Sequence, residues 1–425
     1  MFTRKTVIFA GLVLSLLLSA CSAAAATPAA PTAAAPAPTE TPAPVEGEPT
    51  LVPFTASGPA TCTVQSVLPE LDPTQQAMFP AITEKDHRLG EASALVTFME
   101  YSDIQCPYCA QLEPVLAQLY QDYPEDVSLV FRHFPLSIHD KAILAGQAAE
   151  AAAVQGKFFE MKDALFAAQA EWSALSAEEF SAYAKEKAKS LDLDVDQFAA
   201  DLESDAVKAP VQQGLDEAMK IGIPGTPFLI INGRPYQGPR DYNSLEAILR
   251  LIRLGDRQFK ECPEMAIDPA KTYTATFKTT QGDIVVELFA KQAPFAVNSF
   301  VFLAQNGWFD DIIWHRVLPG FVAQAGDPSG SGYGGPGYAF SNEVSPELRF
   351  DAPGILGMAN AGPDSNGSQF FVTMAPQPAL DGQYTVFGKV ISGMDVVEKL
   401  TPRDPAAGGE LPEGDKILTI SITEQ

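Results

Sequence analysis

Two cysteines separated by two residues, Cys106 and Cys109, are well suited to covalent chemistry. They follow the apolar run Leu95–Met99, which predicts a buried strand, and they precede a helical apolar pattern over Leu112–Leu119. This arrangement places Cys106 at a helix N-terminus, where unpaired N–H groups and the helix dipole stabilise a thiolate. Pro107 suits the first helical turn because it has no N–H to lose. The spacing favours thiol–disulfide exchange, since a purely structural disulfide here would constrain little of the unfolded chain.

The N-terminus has the features of an export signal. Arg4 and Lys5 precede the apolar run Val7–Leu18, which is too short to span a bilayer comfortably. The run ends in Leu18-Ser19-Ala20-Cys21, which resembles a bacterial lipobox and implies lipid on Cys21 and cleavage before it. The alternative is a plain signal peptide with an incidental cysteine. Residues 22–56, rich in Ala, Pro and Thr, predict a disordered, extended tether.

The remaining cysteines predict a structural disulfide. Five cysteines occur, and after Cys21 and the Cys106–Cys109 pair are assigned, Cys62 and Cys262 are left. An exported chain meets an oxidising environment, so we expect these two to pair. Two unpaired buried thiols are the alternative. A metal site is not expected, because there is one CxxC and the four histidines show no ligand spacing.

The rest of the first domain, 57–265, predicts a strand at Val127–Phe131, a helical stretch from Asp140 to about Ile221, and a hairpin around Asn232-Gly233. Strand, CxxC, helix and a later Thr226-Pro227 resemble the thioredoxin fold, and the helical stretch resembles the insertion of DsbA-type oxidoreductases. The resemblance implies that Cys106 attacks and Cys109 resolves. It further implies that Pro227 is cis, that Thr226 offers backbone bonds to substrate, and that Glu100 is a buried proton-transfer acid. A surface carboxylate is the alternative for Glu100.

The second domain, 266–425, has a different sequence pattern. Tyr273–Thr280 and Ile284–Leu288 predict a β-hairpin, Ala293–Gln305 predicts a helix, and short strands follow among glycine-rich loops. The hairpin, the helix and the short strands together predict a β-barrel with a few capping helices. Six segments resemble cyclophilins in the same order: Gly282–Leu288, Trp314–Gln324, Gly354–Gly362, Asn366–Phe371, Leu380–Gly382 and Val386–Gly388. The resemblance implies prolyl isomerisation.

Rotation of an X–Pro bond breaks amide resonance against a barrier of about 18–20 kcal/mol, and a cation can stabilise the twisted amide. By resemblance Arg316 carries that role and Gln324 holds it. The resemblance also implies a substrate site made by Phe321, Val322, Phe371, Leu380, Asn360, Gln369 and Tyr384. Two positions depart from many cyclophilins: Ala379 stands where tryptophan is common, and Tyr384 where histidine is common. The first is expected to weaken cyclosporin-like ligands, and neither removes the arginine.

These features together predict two domains: an α/β thioredoxin fold with a helical insertion, then a cyclophilin β-barrel. We expect an extracytoplasmic folding factor, lipid-anchored to the cell membrane (or to an outer membrane), that isomerises X–Pro bonds and exchanges disulfides in exported polypeptides. It needs no cofactor, but an unidentified redox partner must recycle the CxxC. The net charge of -25 and pI of about 4.4 argue against nucleic acid as a partner. The alternatives are a prolyl isomerase whose thioredoxin-like domain mainly binds peptide, and a non-catalytic holdase.

Overall fold

The computed structural model describes residues 62–66, 71, 74, 77–407 and 411–425. The predicted signal peptide, Cys21 and the tether over 22–56 lie outside these residues. Within the described ranges, none of the helices combines the length and the apolar character needed to cross a bilayer.

The N-terminal domain is built on a five-stranded mixed sheet. Its two central strands run parallel and are joined by a helix, whose leucines Leu112, Leu116 and Leu119 are buried against them. The other strand pairs are antiparallel, and a second helix packs on the same core. In sheet order the strands are β2 (His87–Leu89), β4 (Val127–His133), β3 (Val96–Ser102), β5 (Phe228–Ile231) and β6 (Arg234–Tyr236); the helices are α1 (Pro107–Asp122) and α8 (Tyr242–Leu254).

Six helices are inserted between β4 and β5, as the helical stretch predicted. The first is alanine-rich and almost wholly buried, which allows the neighbouring helices to approach closely. One of the others begins with a capping box between Ser176 and Glu179, which satisfies two backbone N–H groups at the helix start. The inserted helices are α2 (Ala142–Ala153), α3 (Phe158–Ala167), α4 (Gln169–Trp172), α5 (Ala177–Ser190), α6 (Val195–Leu202) and α7 (Asp205–Ile221).

The C-terminal domain is one nine-stranded antiparallel sheet around an aromatic core that includes Phe277, Phe300 and Phe370. The expected hairpin and helix are present. Its strands are β7 (Tyr273–Thr279), β8 (Gly282–Leu288), β9 (Ile312–Ile313), β10 (Arg316–Val317), β11 (Val322–Ala325), β13 (Ile355–Met358), β14 (Phe370–Thr373), β15 (Val386–Ser392) and β16 (Lys416–Glu424), with helices α9 (Pro294–Gln305) and α10 (Met394–Val397). Their order across the sheet is β10-β11-β14-β13-β15-β8-β7-β16-β9.

A strand from before the thioredoxin-like sheet pairs with the C-terminal domain. Strand β1 (Cys62–Val64) runs antiparallel to β12 (Tyr338–Phe340). A disulfide joins Cys62 to Cys262, with 6.0 Å between their Cα atoms, and both cysteines pack against the core of the C-terminal domain. The boundary expected at residue 57 places β1 in the first domain. The backbone hydrogen bonds of β1 are made with β12 of the second domain instead.

Candidate active sites

The first candidate site is the Cys106–Cys109 pair at the start of α1. Cys106 is the N-cap residue of this helix and Pro107 begins its first turn, as the sequence predicted. Both sulfurs are free thiols in buried residues, while the intervening Tyr108 is 67% exposed.

The loop at Thr226 faces the first sulfur. The Thr226–Pro227 peptide bond is cis, as expected, and leads directly into β5. Sγ of Cys106 lies 3.6 Å from the carbonyl oxygen of Thr226. From the inserted helices, Gln169 donates to the carbonyl oxygens of Ile104 and Cys106 at 2.9 and 3.1 Å, which fixes the turn that presents the thiol.

The pKa values of the two thiols are shifted in opposite directions. The pKa of Cys106 is lowered to about 5, chiefly because the Cys109 thiol donates a hydrogen bond to its sulfur. Burial opposes this shift, while the Thr226 side chain and the backbone N–H groups of Cys109 and Tyr108 support it. Burial raises the pKa of Cys109 well above its ordinary value. The pair therefore holds one thiolate and one thiol near neutral pH, the state that suits Cys106 for attack.

Glu100 is buried on β3, so the structure excludes the alternative of a surface carboxylate. Its pKa is raised to about 8, first by burial and then by the neighbouring Glu113 carboxylate. Glu113 lies one helical turn beyond Cys109 and pairs with the buried Lys162 of α3. One lysine compensates one carboxylate, so the other buried carboxyl retains a proton near neutral pH.

Sequence reasoning missed Glu113 and Lys162. Glu113 gave a signal, since it stands among the buried leucines of α1 at the i+4 position from Cys109. Lys162 gave none, because the packing of α3 against α1 decides its place.

The second candidate site is a cavity of about 210 Å³ in the C-terminal domain. It brings together eight of the nine residues assigned to prolyl isomerisation. They are Arg316, Phe321, Val322, Gln324, Asn360, Phe371, Leu380 and Tyr384, and Ala359 completes the lining.

A chain of hydrogen bonds positions the cation. Arg316 and Gln324 face each other across β10 and β11, and Nη1 of Arg316 donates to Oε1 of Gln324 at 3.4 Å. Gln324 in turn donates to Oε1 of Gln369 at 3.0 Å. The guanidinium also lies 5.5 Å from the centroid of the Phe321 ring. Arg316 is thereby held at the cavity, and among the described residues its guanidinium makes a hydrogen bond to Gln324 alone.

Gln369, also assigned to the substrate site, does not line this cavity but lines a neighbouring one in the same domain. Its amide nitrogen donates to the carbonyl oxygens of Gly332 and Gly334, each at 2.9 Å, while its oxygen accepts from Gln324. These bonds engage both ends of the side-chain amide, so Gln369 positions Gln324 and Arg316. Asn360 does line the cavity, although its amide also donates to Asn342 and Asn366.

A second cavity, of about 410 Å³, shares Gln324, Ala359 and Asn360 with the first. Gln65 and Ser66, which follow β1, contribute to its wall. Sequence reasoning missed these two residues, because only the pairing of β1 with β12 brings them to the C-terminal domain.

The comparisons with known proteins match the N-terminal and C-terminal domains to two different families. Residues 274–422 match the family model of cyclophilin-type peptidyl-prolyl cis-trans isomerases, and residues 82–250 match a thioredoxin model. The chain is 44% identical over 152 residues to peptidyl-prolyl cis-trans isomerase-like 1 of Aspergillus niger, covering 35% of this chain and 94% of that protein. It is 42% identical over 180 residues to the probable peptidyl-prolyl cis-trans isomerase A of Mycobacterium bovis, covering 38% and 98%.

Among solved structures, a cyclophilin-type isomerase of Cryptosporidium parvum is 36% identical, with a TM-score of 0.34, and the match covers 36% of this chain and 98% of that one. The fold and the sequence matches define a two-domain protein with a thioredoxin-like domain and a cyclophilin domain. Through the latter, the chain belongs to the cyclophilin-type peptidyl-prolyl cis-trans isomerase family, and its relatives support isomerase activity.

Proposed function

We propose that this chain is an extracytoplasmic, lipid-anchored folding factor that isomerises X–Pro bonds and exchanges disulfides in exported polypeptides. The uncatalysed versions of both steps take from seconds to hours, so a single chain that catalyses both would serve substrates held up at either step. The export signal and Cys21 support the location, and the two sites support the two reactions.

The isomerase half rests on Arg316 held at the cavity beside the Phe321 ring. A substrate proline ring enters the pocket formed by Phe321, Phe371 and Leu380. As the amide twists, its nitrogen gains a lone pair, which a free N–H of Arg316 stabilises by donating to it. No bond breaks and no proton is transferred, so positioning of the guanidinium is the main catalytic requirement.

The redox half rests on the acidic Cys106 at the helix N-cap. In the oxidised form, a substrate thiolate attacks Sγ of Cys106, a mixed disulfide forms, and Cys109 leaves as a thiolate. Glu100 gives its proton to Cys109, whose high pKa favours the thiol. A second substrate thiolate then attacks the substrate sulfur of the mixed disulfide, and Cys106 leaves as a stabilised thiolate. The substrate has lost two electrons to the Cys106–Cys109 pair, and a partner disulfide must accept them for the next cycle.

Two assays on the same protein test the proposal. Arg316→Ala is expected to lower prolyl isomerisation of a proline-containing peptide by about 10²–10³ while oxidative refolding of a reduced substrate continues. Cys106→Ser is expected to do the reverse. Arg349→Ala, which changes an exposed arginine of the same domain, is the matched control for the first variant.

Three outcomes decide between the candidate functions. Undiminished isomerisation in Arg316→Ala would refute the role of the cavity. If Cys106→Ser leaves oxidative refolding unchanged, the thioredoxin-like domain acts by binding peptide. Loss of a radiolabelled fatty acid from the protein in Cys21→Ala is expected for a lipoprotein, and the same labelling in that variant would contradict the anchor.

A further inference from the structure

Three side chains with metal-binding atoms meet where the N-terminal sheet contacts the inserted helices. His87 lies on β2, His133 ends β4 and Glu150 lies on α2. Nε2 of each histidine is 2.8 Å from the same oxygen, Oε1 of Glu150. The three ligand atoms lie within 4.8 Å of one another. Two imidazoles and one carboxylate therefore converge on one point.

The surrounding aromatic rings fix the orientation of both imidazoles. The His87 ring stacks on Phe158 at 3.4 Å between centroids and is tilted by only 6°. The His133 ring stands edge-on to Phe131 and Phe158. These contacts hold the two Nε2 atoms toward Glu150, so little side-chain entropy remains to be lost when a ligand binds.

The cluster is buried on one side and open on the other. The side chains of His133 and Glu150 are 6% and 8% exposed, whereas that of His87 is 22% exposed. An ion can thus enter past His87. Gly146, one turn before Glu150 on α2, lies against the other edge of the His133 ring, where a Cβ would come within 3.1 Å of Nδ1. The absence of a side chain there leaves that edge of the ring uncrowded.

We propose that His87, His133 and Glu150 form a binding site for Zn²⁺ or a similar divalent transition metal. Two histidine nitrogens, one carboxylate oxygen and an open fourth position form a ligand set that zinc accepts in proteins. Around a tetrahedral ion with bonds of about 2.0–2.1 Å, neighbouring ligand atoms lie roughly 3.3 Å apart. Each nitrogen would move away from Oε1 by only about 0.5 Å to reach that distance.

Metal binding would change the protonation of the rings. Each Nε2 lies at hydrogen-bond distance from a carboxylate oxygen, which can only accept, so coordination requires the ring hydrogen to lie on Nδ1 instead. The ion would then link β2, β4 and α2. We infer that it braces the inserted helices against the sheet that carries Cys106.

The sequence does not predict this cluster, because 63 residues separate His87 from Glu150 and 17 separate His133 from Glu150. No short motif contains two of the ligands. The antiparallel pairing of β2 with β4 brings the two histidines close together, and α2 places Glu150 between them. The expectation of no metal site rested on ligand spacing along the chain. This spacing does not exclude a site here, because the tertiary fold brings distant ligands together.

The test is titration of the two-domain chain with Zn²⁺ in a calorimeter, with Cys106 and Cys109 oxidised because a reduced CxxC pair itself binds zinc. We expect one ion per chain and an X-ray absorption spectrum that contains imidazole nitrogen and no sulfur. His87→Phe preserves the stack on Phe158 and removes one ligand, and Glu150→Gln removes the charge. Each variant is expected to weaken zinc binding at least about tenfold.

His139→Gln is the matched control, because this histidine belongs to the same domain but its Nδ1 contacts Asp103 instead. Zinc is expected to raise the thermal midpoint of the wild type and of this control but not that of His87→Phe. Should the variants fold poorly, the wild-type spectrum still decides through its number of imidazole ligands. No micromolar binding by the wild type, sulfur in the spectrum, or equal affinity in folded His87→Phe would overturn the proposal.

Discussion

Replacement of Cys109 by alanine should raise the pKa of the Cys106 thiol. The hydrogen bond from the Cys109 thiol is the largest contribution that lowers this pKa to about 5. A hydrogen bond to a charged group contributes about 1.5–3 kcal/mol, and one pKa unit corresponds to about 1.4 kcal/mol. Loss of the bond should therefore raise the pKa by about 1–2 units, to between about 6 and 7.

The control is Cys109→Ser, which keeps an O–H donor at the same place and should leave the pKa of Cys106 close to the wild-type value. Ultraviolet absorbance of the thiolate, followed as pH is varied, reports this pKa. In a chain that begins after Cys21, with the Cys62–Cys262 disulfide intact, Cys106 is the only thiol left in either variant. An unchanged pKa in Cys109→Ala would refute the reasoning and assign the shift to the helix N-terminus and Thr226.

The same shift predicts how the reduced protein responds to pH. The pKa of Cys106 in the folded chain lies below the ordinary thiol value of about 8.5. The thiolate therefore stabilises the reduced folded form in full above about pH 8.5, and this contribution is lost as pH falls through about 5. In Cys109→Ala the loss should occur between about pH 6 and 7 instead.

Three further predictions concern the rest of the molecule. Arg316→Ala should lower kcat/KM for a proline-containing peptide by about 10²–10³, measured in a coupled isomerisation assay, with near-native circular dichroism. Glu100→Gln should stabilise the chain by up to about 5 kcal/mol at pH 9 and by little at pH 4, because the raised pKa makes the ionised carboxylate unfavourable in the folded state. Denaturant unfolding at both pH values checks this, and equal effects would contradict it. Replacing Cys62 and Cys262 by alanine opens a link between residues 200 apart, which should lower stability by up to about 5 kcal/mol in denaturant unfolding. A loss under about 1 kcal/mol would mean that the unfolded chain is not constrained by the disulfide.

Local patterns predicted most of the elements that carry the two sites. The strand before Cys106 and the helix after it follow from apolar spacing, and the Asn232-Gly233 turn follows from the backbone freedom of these residues. The cyclophilin motifs also predicted residues that lie close together. Eight of the residues assigned through this resemblance line one cavity.

Other features depend on contacts between distant parts of the chain. Strand β1 was placed with the first domain, yet its hydrogen bonds lie with β12 of the second. A three-residue strand carries no signal of its partner, since any free strand edge can accept it. Gln65 and Ser66 reach the second cavity only through this pairing.

The sequence by itself therefore predicted the two folds, the CxxC pair as a candidate redox site and Arg316 as the candidate catalytic cation, because strand and helix periodicity and the family motifs are local properties. Only the tertiary structure decided that Glu113 and Lys162 lie beside Glu100, that Gln369 positions Gln324, and that His87 and His133 share Glu150. These groups are close because packing and strand pairing bring distant segments together. Their charges and hydrogen bonds matter there because burial excludes the water that would otherwise screen them.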